Sequence, residues 1–242
     1  MRPEYYRKRW IKLRKKAQRE EITHLARHTA LSFLDRYLYS DLFDAEYIDL
    51  LCEMATYFDN DDLNNIAADA LFSIVIEQLC DDFEELQTET YNRLISQVIT
   101  FLRQLPQCEE LDQHLKLYGL QTRQHIYDRI ESIRANSDRR KQLTKNPKKV
   151  LLLSRVTIGA DVAISSVFCQ RLIHRFPGVE LVLIGSPKLR EVYASNPKVR
   201  IQPFHYVRRG NLIEQEYFTR LIFFYLVLHY SEQTQPGIKT FD

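Results

Sequence analysis

The residues best placed to do chemistry lie together in Ser154-Arg155-Val156-Thr157-Ile158-Gly159-Ala160-Asp161. This segment follows a short apolar run and precedes a helical pattern, so it reads as the turn leaving a buried parallel strand. Open α/β sheets bind ligands at such turns, because the backbone N–H groups that open the next helix are unpaired and face the crevice. Arg155, Thr157 and Gly159 are its candidate substrate-binding residues. Asp161 stands at the helix start, where its carboxylate can cap the helix or face a ligand. With one glycine in the turn, the segment has neither the G-x-G-x-x-G fingerprint nor a Walker loop, which argues against NAD and ATP.

Other constellations are weaker. His24 and His28 are four residues apart on one helical face, but no H-E-x-x-H or third ligand accompanies them. They are expected to be a surface or partly packed pair. Asp59-Asn60-Asp61-Asp62 hints at a calcium loop, yet Leu63 and Ala70 occupy the positions where an oxygen ligand and the closing glutamate are needed. No metal site is expected. Cys52, Cys80, Cys108 and Cys169 form no C-x-x-C pair and are too dispersed for a disulfide scaffold, so reduced thiols and a cytoplasmic location are expected.

Punctuation divides the elements that must position the turn. Between Pro3 and Pro106 there is no proline, and the first glycine is Gly119. A stretch that long without turn residues argues for helices. Leu63, Ile66, Ala67, Ala70, Leu71, Ile74 and Val75 form one apolar stripe at helical spacing. Tyr47 to Phe58, Tyr91 to Leu102 and Ala30 to Leu38 carry similar stripes, with Ser40 and Asp41 behind the last as break or cap residues. Asn60 is placed to cap the next helix. Five or six helices are expected over residues 1–147, as a bundle or array.

From residue 147 onward come five of the six glycines and six of the eight prolines. Residues 148–242 are expected to form a second domain beyond an exposed basic linker at Arg139 to Lys145. Val150 to Ser154, Val179 to Ile184 and Val199 to Pro203 read as strands. Between them lie a helix with Ile164, Val167, Phe168 and Leu172 on its apolar stripe and a short helix over Pro187 to Ser195. The expected fold class is α+α/β, with an incomplete Rossmann-like β-α-β-α-β unit of three parallel strands. From Asn211 to about Tyr230 the pattern is helical again.

The segments VLLLSRVTIGADV (150–162), Arg175-Phe176-Pro177, Val179-Glu180-Leu181-Val182-Leu183-Ile184-Gly185 and Asn196-Pro197-Lys198-Val199 resemble glycosyltransferase family nine. These are ADP-heptose:lipopolysaccharide heptosyltransferase-like proteins of GT-B fold, and the resemblance covers the acceptor-side half, residues 148–212. It implies that Asp161 is the general base that takes a proton from an acceptor sugar hydroxyl while a nucleoside diphosphate leaves. This chain reads Gly159-Ala160-Asp161 where the family has a Gly-Asp pair. The resemblance implies no cofactor, since the nucleotide-sugar donor is a substrate. Few residues follow Leu212, so the nucleotide-sugar domain is expected to be absent and the chain inactive alone. The alternative is a non-enzymatic helical interaction module on an α/β scaffold.

Charge is laid out in blocks that the net charge of +2 conceals. Residues 1–20 hold nine Lys or Arg against two Glu, whereas residues 41–90 hold fifteen Asp or Glu and no Lys or Arg. The basic opening is expected to lean on the acidic block. An anionic membrane surface is its alternative partner, and nucleic acid is not expected without a helix-turn-helix, zinc finger or stacking motif. The longest apolar run, Leu221 to Leu228, falls far below the roughly 18 residues of a membrane span. It is expected to drive self-association through residues 218–230.

Overall fold

The computed structural model describes residues 1–16, 18–80, 85–138, 147–154, 159, 161–203 and 210–213. These residues are mostly helical, with a small parallel sheet of three strands. They fall into two compact units: residues 1–138 with 210–213, and residues 147–203.

The helical unit contains α1 (Pro3–Leu13), α2 (Arg19–Ser40), α3 (Ala45–Met54) and α4 (Asp61–Asp69). α4 runs without interruption into a π-wound stretch, Ala70–Ile76, and then into α5 (Glu77–Cys80). Next come α6 (Glu85–Leu102), α7 (Glu109–Leu117) and α8 (Arg123–Asp138). Eight helices among the described residues of this unit exceed the five or six expected, because local breaks subdivide the later part. Pro106 starts a 3₁₀ turn, Pro106–Cys108. Gly119, at φ 72°, supplies the left-handed residue that ends α7. Asp41 does the same for α2 at φ 51°, its N–H donating to the Tyr37 carbonyl.

The apolar stripes meet in one core. Phe33, Tyr47, Ile48, Leu51, Met54, Leu71, Val75, Leu94, Val98 and Leu102 are all buried there. Leu38, expected on the α2 stripe, is instead 53% exposed. The Asn60 side chain caps α4, accepting from the Asp62 N–H at 2.8 Å. Asn60→Ala is expected to cost about 1 kcal/mol in urea unfolding, and no loss would show that the cap is not the stabilising contact.

Arg103 is nearly buried and fastens the end of α6 to α7 and the turn beyond it. It donates to Asp112 on α7 at 2.6 Å and to the Leu120 carbonyl at 2.6 Å. Hydrogen bonds from Lys116 and then Arg103 hold the Asp112 carboxyl below the usual carboxylate range. A lowered folded pKa contributes stability above the unfolded value that is lost as pH falls through the folded one. The stability gap between the wild type and Asp112→Asn should therefore be full at pH 7 and start closing below about pH 4. Urea midpoints across that range measure it, and a gap independent of pH would contradict the assignment.

In the α/β unit the order is β1 (Lys149–Leu153), a π-wound turn Asp161–Ser165, α9 (Ser166–Arg175), β2 (Glu180–Gly185), α10 (Leu189–Tyr193) and β3 (Val199–Pro203). The strands are parallel in the order β1-β2-β3, with Val150 beside Leu181 and Leu181 beside Val199. One face carries Val150, Leu152, Leu181, Leu183, Val199 and Ile201. These pack with Cys169, Leu172 and Ile173 of α9 and Leu189, Val192 and Tyr193 of α10. Val182 and Ile184, on the other face of β2, are buried as well. At the start of the strands Glu180 bridges Lys149 (3.1 Å) and Arg200 (3.0 Å), tying all three together.

Two expectations need correction and two lie out of reach. The stripe Ile164, Val167, Phe168 does not face the sheet; these side chains are 38%, 44% and 54% exposed. The helix is apolar on two sides, and the sheet covers only the side carrying Cys169, Leu172 and Ile173. Residues 210–213, expected in the second domain, belong to the helical unit. Leu212 is fully buried in its core, and Asn211 Nδ2 donates to Asp61 Oδ1 at 3.2 Å. The basic linker at 139–145 and the self-association segment 218–230 lie outside the described residues.

Candidate functional site

The candidate site is the carboxyl edge of the sheet, reached from β1, β2 and β3 by Ser154, Ser186 and Pro203. β1 stays beside β2 for one residue past its end, because the Ser154 N–H donates to the Ile184 carbonyl at 2.8 Å. This sets the Ser154 side chain against Gly185. A Cβ on Gly185 would overlap Ser154 Cβ, lie 2.6 Å from Ser154 Oγ and stand 2.8 Å from Leu189 Cδ1. Glycine there is a packing requirement that lets the two strand ends close on each other. Beyond it, the Leu189 N–H donates to the Ser186 carbonyl at 2.9 Å and turns the chain into α10.

The sequence-derived site residues fare unequally. Arg155 and Thr157 lie outside the described residues. Gly159 is exposed, with nothing within 4 Å of the point that a Cβ would occupy. Asp161 opens the π-wound turn that leads into α9, at the start of the first crossover after β1. The close pair Ser154 and Gly185 was not anticipated as a unit. Its signal was a glycine at the end of an otherwise apolar strand.

The alternatives supply less chemistry. An open cleft of about 390 Å³ is lined by Gln170, Ile173, His174, Pro177, Asn196 and Lys198. It lies where α9 ends and β3 begins, away from the carboxyl edge, and its ionisable side chains His174 and Lys198 offer no carboxylate. The His24 and His28 rings lie 4.1 Å apart, centroid to centroid, and tilted by 41° on the exposed side of α2. Among the described residues, no group of three potential metal ligands converges. Cys52, Cys108 and Cys169 are buried and take part in no disulfide. Burial pushes the Cys108 thiol up to about 11, so at neutral pH it remains a protonated thiol and a poor nucleophile.

Among the described residues no helix is long and apolar enough to cross a membrane. Comparison with known proteins adds no relative: the chain matches no protein-family model, no curated protein and no solved structure.

Proposed function

We propose that the α/β unit is the acceptor-binding half of a GT-B sugar transferase, with a Rossmann-like sheet. The observation that carries the reading is the parallel order β1-β2-β3 with a helix in each crossover. That is the layout of half a doubly wound sheet, which binds ligands at its carboxyl edge. Asp161 enters its helix from the turn at that edge. In this role its carboxylate takes the proton of the acceptor hydroxyl as the hydroxyl oxygen bonds to the anomeric carbon. The bond from that carbon to the donor phosphate breaks, and the nucleoside diphosphate leaves with the electron pair. In this reading Arg155, Thr157 and Gly159 are the acceptor-binding residues. The donor is a substrate held by a second α/β half, so this unit by itself binds acceptor without turnover.

Saturation-transfer NMR of the full chain with heptose, hexose and phosphosugar acceptors tests the reading. Binding that weakens at least tenfold in Asp161→Asn is expected, together with negligible transfer from ADP- and UDP-sugars. No binding of any sugar at millimolar concentration would overturn it. Turnover that is lost in Asp161→Ala would overturn the half-enzyme assignment and leave the base in place.

One observation favours a second reading, a non-enzymatic interaction module. Ile164, Val167 and Phe168 present an exposed apolar face on α9 and the turn before it, as a protein-binding surface would. In this reading the surface lies on the α/β unit and not on the helical array.

A further inference from the structure

The basic opening of the chain sorts its cations by direction. On the inner side of α1, Tyr6 and Trp10 are buried. Arg7 pairs with Glu46 at 3.0 Å and with Glu53 at 3.1 Å, and Arg14 pairs with Glu53 at 3.3 Å. Trp10 Nε1 donates to the same Glu53 at 2.9 Å. Two arginines are thus consumed in fastening α1 to α3, as the acidic block predicts. Arg9 folds back over the Tyr5 ring, 5.9 Å from its centroid.

The lysines do the opposite. Lys8 and Lys12 on α1, and Lys15 and Lys16 in the turn after it, are all exposed. None makes an ion pair among the described residues. At 100° per residue, Lys8 and Lys12 fall on one stripe of α1, opposite Tyr6 and Trp10, and Lys15 follows in the turn just beyond its end. Tyr5 and Ile11 share that side and are 44% and 45% exposed. Glu4 is its one acidic residue.

We infer that this outer face of α1 docks the protein on an anionic lipid bilayer. A convex helix face with compact ammonium groups suits a diffuse plane of negative charge. Of the arginines in residues 1–16, which can fork onto a single phosphate, Arg7 and Arg14 are turned inward and Arg9 lies over Tyr5. Only Arg2, before the helix, is exposed beside the lysines. Tyr5 and Ile11 beside the lysines supply shallow apolar contact at headgroup depth, where aromatic rings and aliphatic tips are favoured. The helix does not need to leave the protein to bind, since its large apolar side chains stay in the core. The lysines lie within about 10 Å of one another, roughly a Debye length at physiological salt, so they act as one patch. Each contributes about a fivefold gain in partitioning onto an anionic surface. The inference stands independently of sugar transfer.

Co-sedimentation of the full chain with vesicles tests it, using neutral phosphatidylcholine alone and phosphatidylcholine with about one-third phosphatidylglycerol. Binding to the anionic vesicles only is expected, lost at 0.5 M NaCl and reduced about a hundredfold in Lys8→Gln/Lys12→Gln/Lys15→Gln. These positions are exposed, so the helical circular-dichroism spectrum should not change. Ile11→Ser should weaken binding a few-fold with the charge intact. Three results would overturn the inference: no binding to either vesicle, equal binding to both, or anionic binding that survives the triple substitution. Tighter binding to single-stranded RNA than to anionic vesicles, lost in the same triple variant, would overturn it in favour of nucleic acid.

Discussion

Trp10→Ala should destabilise the helical unit by about 3–5 kcal/mol, the usual cost of deleting a buried tryptophan. The side chain is fully buried. Its ring meets Tyr57 at 5.3 Å and Phe58 at 5.7 Å, both edge-on, the geometry that adds to plain area burial. Its indole N–H also satisfies Glu53, the carboxylate on which Arg7 and Arg14 converge. Alanine would leave a cavity between α1 and the segment after α3, and would remove one donor from Glu53. Trp10→Phe keeps much of the volume and loses the hydrogen bond, so it should fall between, at about 1–2 kcal/mol. Urea unfolding followed by far-ultraviolet circular dichroism measures both. A loss below 1 kcal/mol for Trp10→Ala would mean that α1 frays from the unit in solution.

The second large effect is expected at Gly185. Gly185→Ala places a methyl carbon on top of Ser154 Cβ and 2.8 Å from Leu189 Cδ1. A change of Ser154 rotamer cannot relieve this, because the overlapping Cβ moves only with its backbone. That backbone is held by the hydrogen bond from Ser154 to the Ile184 carbonyl. Overpacking of this kind costs typically 1–3 kcal/mol, and the upper end is expected here. Faster hydrogen exchange at the β2 amides of Leu181 to Ile184 is the readout. Ser154→Gly removes the overlapping carbon, so the double variant should recover most of the loss. Gly159→Ala, with nothing within 4 Å of the added carbon, should stay within about 0.5 kcal/mol of the wild type or gain slightly. If Gly159→Ala were the more damaging change, the close approach at the carboxyl edge would be wrong.

Local spacing was enough to reveal much of this protein. The apolar stripes of α2, α3, α4 and α6 are buried nearly as their periodicity demands. Asn60 caps α4 as its position before two aspartates implied. The three strands lie within a residue of the apolar runs that announced them. These features depend on neighbours a few residues away, and such neighbours are visible along a chain.

What the tertiary structure decided depends on partners distant in sequence. The charge blocks suggested that the basic opening meets the acidic region, but only the fold singles out Glu53 and turns Arg7 and Arg14 inward and the lysines outward. Asn64 reads as a polar residue on a helix surface. It is nevertheless buried, clamping Phe58 through both backbone groups at 3.0 and 2.7 Å. Leu212 comes after the strands in sequence but joins the helical core. α9 has two apolar sides, and nothing local distinguishes them; the side that contacts the sheet is buried and the other stays exposed. At the candidate site the turn and Asp161 are expectations read from the sequence, whereas the close approach of Ser154 and Gly185 required two strands to be laid side by side. Periodicity states which residues can be buried. Which of them are buried is settled by the surface that arrives to cover them.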